Sequence, residues 1–220
     1  SLVGSEMCIR DRAKAAWCTV APMTGKENAP INITLPVYTG RLARNTSVTV
    51  TNKNGTKPTK VITSNQASAG NILTLDATKP DVPKTGGTVT INGTSNSSKL
   101  KFELWGVFVG IDMLIPNDVC NITVKANNTA ITYDTIIAGD PGASAKYNFV
   151  ATLVFKGSPF PTDIPCSFKV IDDAENEKQC TLKMLAGAST LSVDKTSLNF
   201  TAAGGTQTVN ITSNDEWSVS

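Results

Sequence analysis

Residues 72–96 read ILTLDATKPDVPKTGGTVTINGTSN, and residues 190–214 read TLSVDKTSLNFTAAGGTQTVNITSN. The two stretches align without a gap at one offset of 118 residues (190 less 72), and 11 of the 25 positions are identical. Composition alone gives roughly two matches, so the chain carries a duplicated module. The identities include Asp76 with Asp194, Gly86-Gly87-Thr88 with Gly204-Gly205-Thr206, and Thr94-Ser95-Asn96 with Thr212-Ser213-Asn214. A unit of this length has room for one β-sandwich core.

Outward from this pair, the middle copy offers strands near 71–75, 87–92, 99–105, 119–125, 130–135, 146–155, 166–171 and 178–184. Turn signals separate them: Lys84-Thr85-Gly86-Gly87, Asn127-Asn128, Gly139-Asp140-Pro141-Gly142, Ser158-Pro159 and Ala174-Glu175-Asn176. Seven or more short strands with regular turns predict an antiparallel sandwich. In Lys99-Leu100-Lys101-Phe102-Glu103-Leu104 every second residue is apolar, which puts one face in a core and one in water. No segment reads as a substantial helix. Residues 16–66 repeat the pattern of a module's back half, with Ile31, Ile33 and Leu35 alternating, then Val48 and Val50, then a turn at Asn54-Gly55.

The fold class read from these patterns is all-β: tandem immunoglobulin-like antiparallel β-sandwiches, one complete module flanked by two partial ones. The expected divisions are 13–69 for the C-terminal part of one module, 70–187 for the complete one, and 188–220 for the N-terminal part of the next. Residues 1–12, SLVGSEMCIRDR, have neither alternation nor a helical period, and resemble the in-frame translation of a sequencing adapter. They are set apart from fold reasoning, which leaves Cys18, Cys120, Cys166 and Cys180.

Composition narrows the function. The 220 residues hold 20 basic and 18 acidic side chains, a net charge of +2, too small to point to nucleic acid. Histidine is absent, which removes His-based triads and most zinc sites. No run of about 18 apolar residues occurs, so no membrane-spanning helix is expected. There are 29 Thr and 18 Asn, a bias that suits solvated strands and turns; Asn-x-Ser/Thr triplets at Asn32, Asn92, Asn121 and Asn210 are read as its by-product. No G-x-S-x-G elbow is present, and paired-carboxylate hydrolysis needs a cleft that small sandwiches rarely supply. The acidic turn Asp172–Glu177 lacks the spacing and glycine of a calcium loop and reads as a solvated hairpin tip. No catalytic residue, metal or cofactor is expected, and the chain is read as non-enzymatic.

Residues 191–220, LSVDKTSLNFTAAGGTQTVNITSNDEWSVS, resemble the opening of a BACON domain, an immunoglobulin-like module named for Bacteroidetes and for carbohydrate binding. WCTVAPMTGKENAPINITL with Arg44-Asn45-Thr46 and VTVTNKNG resembles the closing half, with landmarks at Trp17, Pro22, Gly25, Arg44 and Thr46. In that pattern Trp17 and Trp217 hold core positions. The middle copy departs from it over Trp105–Asp134. The resemblance implies an extracellular or cell-surface array that binds host or dietary carbohydrate or serves adhesion in a gut Bacteroidetes-type protein. Two other readings stay open: structural spacer repeats, and a tail or appendage component of a phage virion.

Trp105 and Phe108 are the candidate ligand contacts. Continued in phase from Lys99, the alternation points Trp105, Val107, Val109 and Ile111 outward, so a polar face turns apolar and Trp105 becomes the most exposed large aromatic of the module. A bulge at Gly106 instead buries Trp105 and turns Phe108 outward. Cys166 and Cys180 flank a hairpin. If its turn is symmetric about residue 173 they lie opposite one another on one face, as a disulfide or as two buried thiols.

Overall fold

The structure is a computed structural model and describes residues 13–220. The stretch 1–12 read as adapter lies outside the described residues. The chain divides into two compact units. One runs to Gly70 and includes Ala143–Ala145; the other takes Asn71–Gly142 and Lys146–Ser220.

Among the described residues, the first unit holds four strands: β1 (Thr19–Ala21), β2 (Asn32–Thr34), β3 (Arg44–Thr51) and β4 (Thr59–Gln66). β1 pairs with β2 and β3 with β4, both antiparallel. The Arg44 guanidinium lies 3.9 Å from the centre of the Trp17 ring and 4.1 Å from that of Tyr38. Its Nε donates to Gln66 Oε1, and Gln66 Nε2 donates to the Pro36 carbonyl. Thr46 Oγ1 accepts from the Ala15 amide at 2.8 Å. The landmarks Trp17, Arg44 and Thr46 are therefore the groups that tie the start of the unit to its last hairpin. Trp17 is half-buried under Arg44 rather than sealed in a core.

The second unit contains β5 (Leu73–Leu75), β6 (Gly87–Ser95), β7 (Lys101–Phe108), β8 (Ile111–Leu114), β9 (Cys120–Ala126), β10 (Thr129–Ile131), β11 (Tyr147–Phe155), β12 (Ile164–Ile171), β13 (Glu177–Met184), β14 (Leu191–Val193) and β15 (Ile211–Ser213). Alternation decides which face each strand buries. On β11 the inward set is Tyr147, Phe149, Ala151, Leu153 and Phe155; on β12 it is Ile164, Cys166, Phe168 and Val170. These strands are central in two antiparallel sheets, ordered β10-β9-β11-β6-β5 and β13-β12-β7-β8. Lettered A onward from β5, with β8 as C′ and β10 as an addition beside D, the sheets read A-B-E-D and G-F-C-C′. That is the strand order of an immunoglobulin-type sandwich. After β5 the chain leaves β6 and runs parallel to β13: Lys79 N donates to Thr181 O and Val82 N to Lys183 O, so the first strand spans both sheets.

Loops at one end are tied by side chains. Ser98 donates its amide and hydroxyl to one Asp173 oxygen at 2.9 and 2.7 Å, and the Asp173 amide donates to Ser97 Oγ. Buried Asp172 accepts from the amides of Ala174 and Asn176 and from Asn176 Nδ2. The acidic turn uses these two carboxylates to shape its own loop.

The sequence repeat is also a structural repeat. Leu73 faces Ser95 and Leu75 faces Gly93; 118 residues on, Leu191 faces Ser213 and Val193 faces Ile211. The Asp76 carboxylate accepts from the Asn92 amide and Nδ2, and that of Asp194 from the Asn210 amide and Nδ2. Asn96 Oδ1 accepts from Ile72 N, and Asn214 Oδ1 from Thr190 N. The shared Asp and Asn residues are clamps at the two ends of one strand pair. The copies differ in burial: Leu73 is 8% exposed, Leu191 66%, and Trp217 54%. Gly93, where the later copy has Ile211, lies under the Phe149 ring; a Cβ there collides with that ring and with the Thr74 carbonyl.

Phe168, fully buried at the centre of the sandwich, gives the direct test of this core. Phe168→Ala is expected to lower unfolding free energy by about 3–5 kcal/mol, whereas Leu191→Ala changes it by no more than about 0.5 kcal/mol. Urea denaturation followed by circular dichroism reads both, and equal losses would contradict the assignment.

Candidate functional site

The alternation along β7 continues through Gly106 without a bulge. Leu104 faces Phe168 and Gly106 faces Cys166 on β12, in one unbroken register. Gly106 points into the core, since a Cβ there would meet Ile164, Phe108 and Ile115 at 3.0–3.1 Å. Lys101, Glu103, Trp105 and Val107 therefore share the outer face. Phe108 is on the other side, its ring centre 4.7 Å from that of Phe160. The two candidate aromatics sit on opposite faces of one strand and do not form one site.

Trp105 is half-buried on the outer face, opposite Leu114 of β8 and Ser167 of β12. Its Nε1–H donates to Glu103 Oε2 at 2.9 Å, and the Lys169 ammonium stands 5.8 Å from the ring centre. The other Glu103 oxygen accepts from the Tyr133 hydroxyl at 3.0 Å. Tyr133 reaches it from the loop after β10, its ring standing edge-on to Phe102 at 5.7 Å. One carboxylate thus orients two aromatic rings. Tyr133 is 44% exposed and is more open than Trp105, which corrects the expectation that Trp105 is the most exposed aromatic of the module. The physical reason is local: Lys169 lies over the Trp105 ring and the indole edge is drawn to Glu103.

Beside the aromatics, the β7–β8 hairpin turns through Val109 and Gly110, both at positive φ (49° and 78°). That is the conformation of a tight primed turn, which a β-branched residue rarely adopts. Val109, Ile111, Met113 and Leu114 are all exposed. Ion pairs flank this corner on the same face: Lys101 with Glu175 at 2.8 Å and Lys169 with Glu177 at 3.4 Å. Exposed pairs of this kind stabilise little, but they leave the aromatic–aliphatic corner as the distinctive feature of the face.

The cysteines depart from the expected register. Cys166 faces Leu182, and Cys180 faces Phe168, because the hairpin is centred on residue 174, with Ile171 opposite Glu177. The turn is centred one residue later than 173: Asp172 N donates to Asn176 O, and Glu175 has φ of 62°. A shift of two positions keeps both thiols on the core face. Neither is bridged; Cys166 and Cys180 are free and buried, as are Cys18 and Cys120. Burial pushes the Cys120 thiol up to about 12, with Cys166 nearby adding to the effect, and that of Cys166 up to about 11.

Residues 9–67 match the BACON family model, described as "Putative binding domain, N-terminal". The match begins inside the stretch read as adapter and covers the Trp17–Arg44–Gln66 cluster. No curated protein matches the chain. Among solved structures, the major pilin subunit of Bacillus cereus is similar at 11% identity and a TM-score of 0.27, over 76% of this chain and 52% of that one. The chain spans about half the length of that pilin.

Glu103 and Tyr133 escaped the sequence reading. Glu103 was legible as the outward residue two before Trp105; Tyr133 lies 30 residues away in a loop, where no periodicity points.

Two outcomes test the site's chemistry. The hydrogen bond to Glu103, then partial burial, raises the Tyr133 hydroxyl above the ordinary tyrosine value. The folded state thus holds this proton more tightly than the unfolded chain. The resulting stability is present below the usual tyrosine range, about pH 10, and is lost as pH rises through the folded value. Glu103→Gln should shift the Tyr133 transition in an absorbance titration downward; an unchanged transition would contradict the contact. Iodoacetamide at neutral pH should leave Cys120, Cys166 and Cys180 unmodified in the native protein and alkylate all three in urea; a mass two units low by peptide mapping would show a disulfide instead.

Proposed function

We propose that the chain is a non-catalytic array of binding modules that acts outside the cytoplasm and takes a glycan on the outer face of β7. The observation that carries this reading is the pair of rings, Trp105 and Tyr133, held by the two oxygens of Glu103. Sugar rings present C–H faces and hydroxyl edges, and bind where aromatic surface adjoins a few fixed polar groups. Glu103 retains lone pairs that accept a sugar hydroxyl beside each ring. Leu114 and Val107 extend the apolar surface, and the Ser167 hydroxyl, which donates to Gln179 Oε1, presents an acceptor across the strand. The extracytoplasmic setting and the carbohydrate class follow the BACON resemblance.

One observation favours the spacer reading: the Asp76–Asn92 and Asp194–Asn210 clamps are the same in two copies and fix the strand register in each. A glycan array probed with the whole chain separates the two. For the binding module, Trp105→Ala should weaken retention more than tenfold, the scale of an interface anchor, with a modest change in melting temperature. An array without a retained glycan would leave the spacer reading.

A further inference from the structure

The outer face of the other sheet carries a concavity of ≈ 630 Å³. Register lays two rows of side chains across it. Thr74, Thr94 and Asn148 form one, and Asp76, Asn92, Val150 and Lys125 the other. The turn Asn127-Asn128, with both residues at positive φ (45° and 66°), forms a rim.

The polar groups of this groove divide into two sets. On the β5 side they satisfy one another. The Thr74 and Thr94 hydroxyls are 2.6 Å apart, and the Asp76 carboxylate takes the Asn92 amide and the Lys79 ammonium at 2.9 and 2.8 Å. On the β9 side, Lys125, Asn127, Asn128 and Asn148 have side chains that make no hydrogen bond or ion pair among the described residues. Three amides and one ammonium therefore line the groove on its solvent side, with no partner among the described residues. The groove's own carboxylate is already neutralised by Lys79, so Lys125 leaves it with an uncompensated positive charge.

We infer that this groove is a second binding site and that its ligand is a saccharide bearing a carboxylate. Each amide offers both a donor and an acceptor, the pattern a hydroxyl group needs. Lys125 offers a charge-assisted bond to a carboxylate. An extended peptide fits poorly. Val150 is the one apolar side chain on the outward rows, so the groove lacks the alternating apolar pockets that read an added strand. The inference extends the glycan-binding reading to a different face and uses none of that site's residues.

Titration of the ¹⁵N-labelled whole chain with trigalacturonate, galactotriose and hexaglutamate tests it. Trigalacturonate should move the side-chain amide signals of Asn127, Asn128 and Asn148, with galactotriose about tenfold weaker, and Lys125→Gln should remove that tenfold difference. Asn148→Ala should weaken both sugars. Both substituted residues are exposed, so the variants should keep the wild-type backbone spectrum. The inference is overturned if these amides stay still, if Lys125→Gln leaves the affinity unchanged, or if hexaglutamate gives the same shifts at equal affinity. The Trp105 indole N–H reports the other face separately: its movement alone would support the first site and overturn this one.

Discussion

Phe149 and Phe168 are both fully buried, one on the central strand of each sheet, and neither sheet can keep its apolar face dry without the other. Burying a large aromatic side chain contributes on the order of 2–3 kcal/mol, and the inward set includes Ile91, Leu100, Leu104, Leu153, Val170 and Met184 as well. Everything else is subordinate to this closure. The first strand crosses from one sheet to the other because it must cover both edges. Gly93 is small because the Phe149 ring lies against it. Ser97, Ser98 and Asp173 hold loops that carry no apolar weight but would otherwise leave polar groups unsatisfied at the sandwich end.

The two outer faces are what this closure leaves free. One carries ion pairs beside the corner where Glu103 holds Trp105 and Tyr133. The other is rich in Thr and Asn, and there Lys125 has no partner among the described residues. The repeated clamps show how local hydrogen bonds differ from burial in what they achieve. Asp76 with Asn92 and Asp194 with Asn210 fix the same register, yet Leu73 is buried and Leu191 is exposed. Side-chain caps specify which residues face each other; only the opposing sheet supplies the hydrophobic term.

The module and its alternation were legible because both are periodic. The offset of 118 reappears as matched pairings, and Lys99–Leu104 buried the face it was expected to bury. Trp105 kept its outward phase because Gly106 held the register. What failed to be legible lay at turns. Strand β8 was missed since Phe108-Val109-Gly110-Ile111 carries no Asn or Asp and turns on a valine in a left-handed conformation. The cysteine register slipped by two positions because the loop capped by Asp172 is centred on 174 rather than 173. Tyr133 joins its site through a tertiary contact from an irregular segment, which no local pattern encodes.

Native-state hydrogen exchange tests most directly the claim that opposed sheets, rather than the local clamps, hold this fold. Amides of β6 and of β15 occupy equivalent positions in the repeat and share the same register and clamps. The account predicts that β6 amides, with those of β11 and β12, exchange only through global opening, while β15 amides exchange orders of magnitude faster. Equal protection at the two positions would show that the clamps alone suffice, and would contradict it.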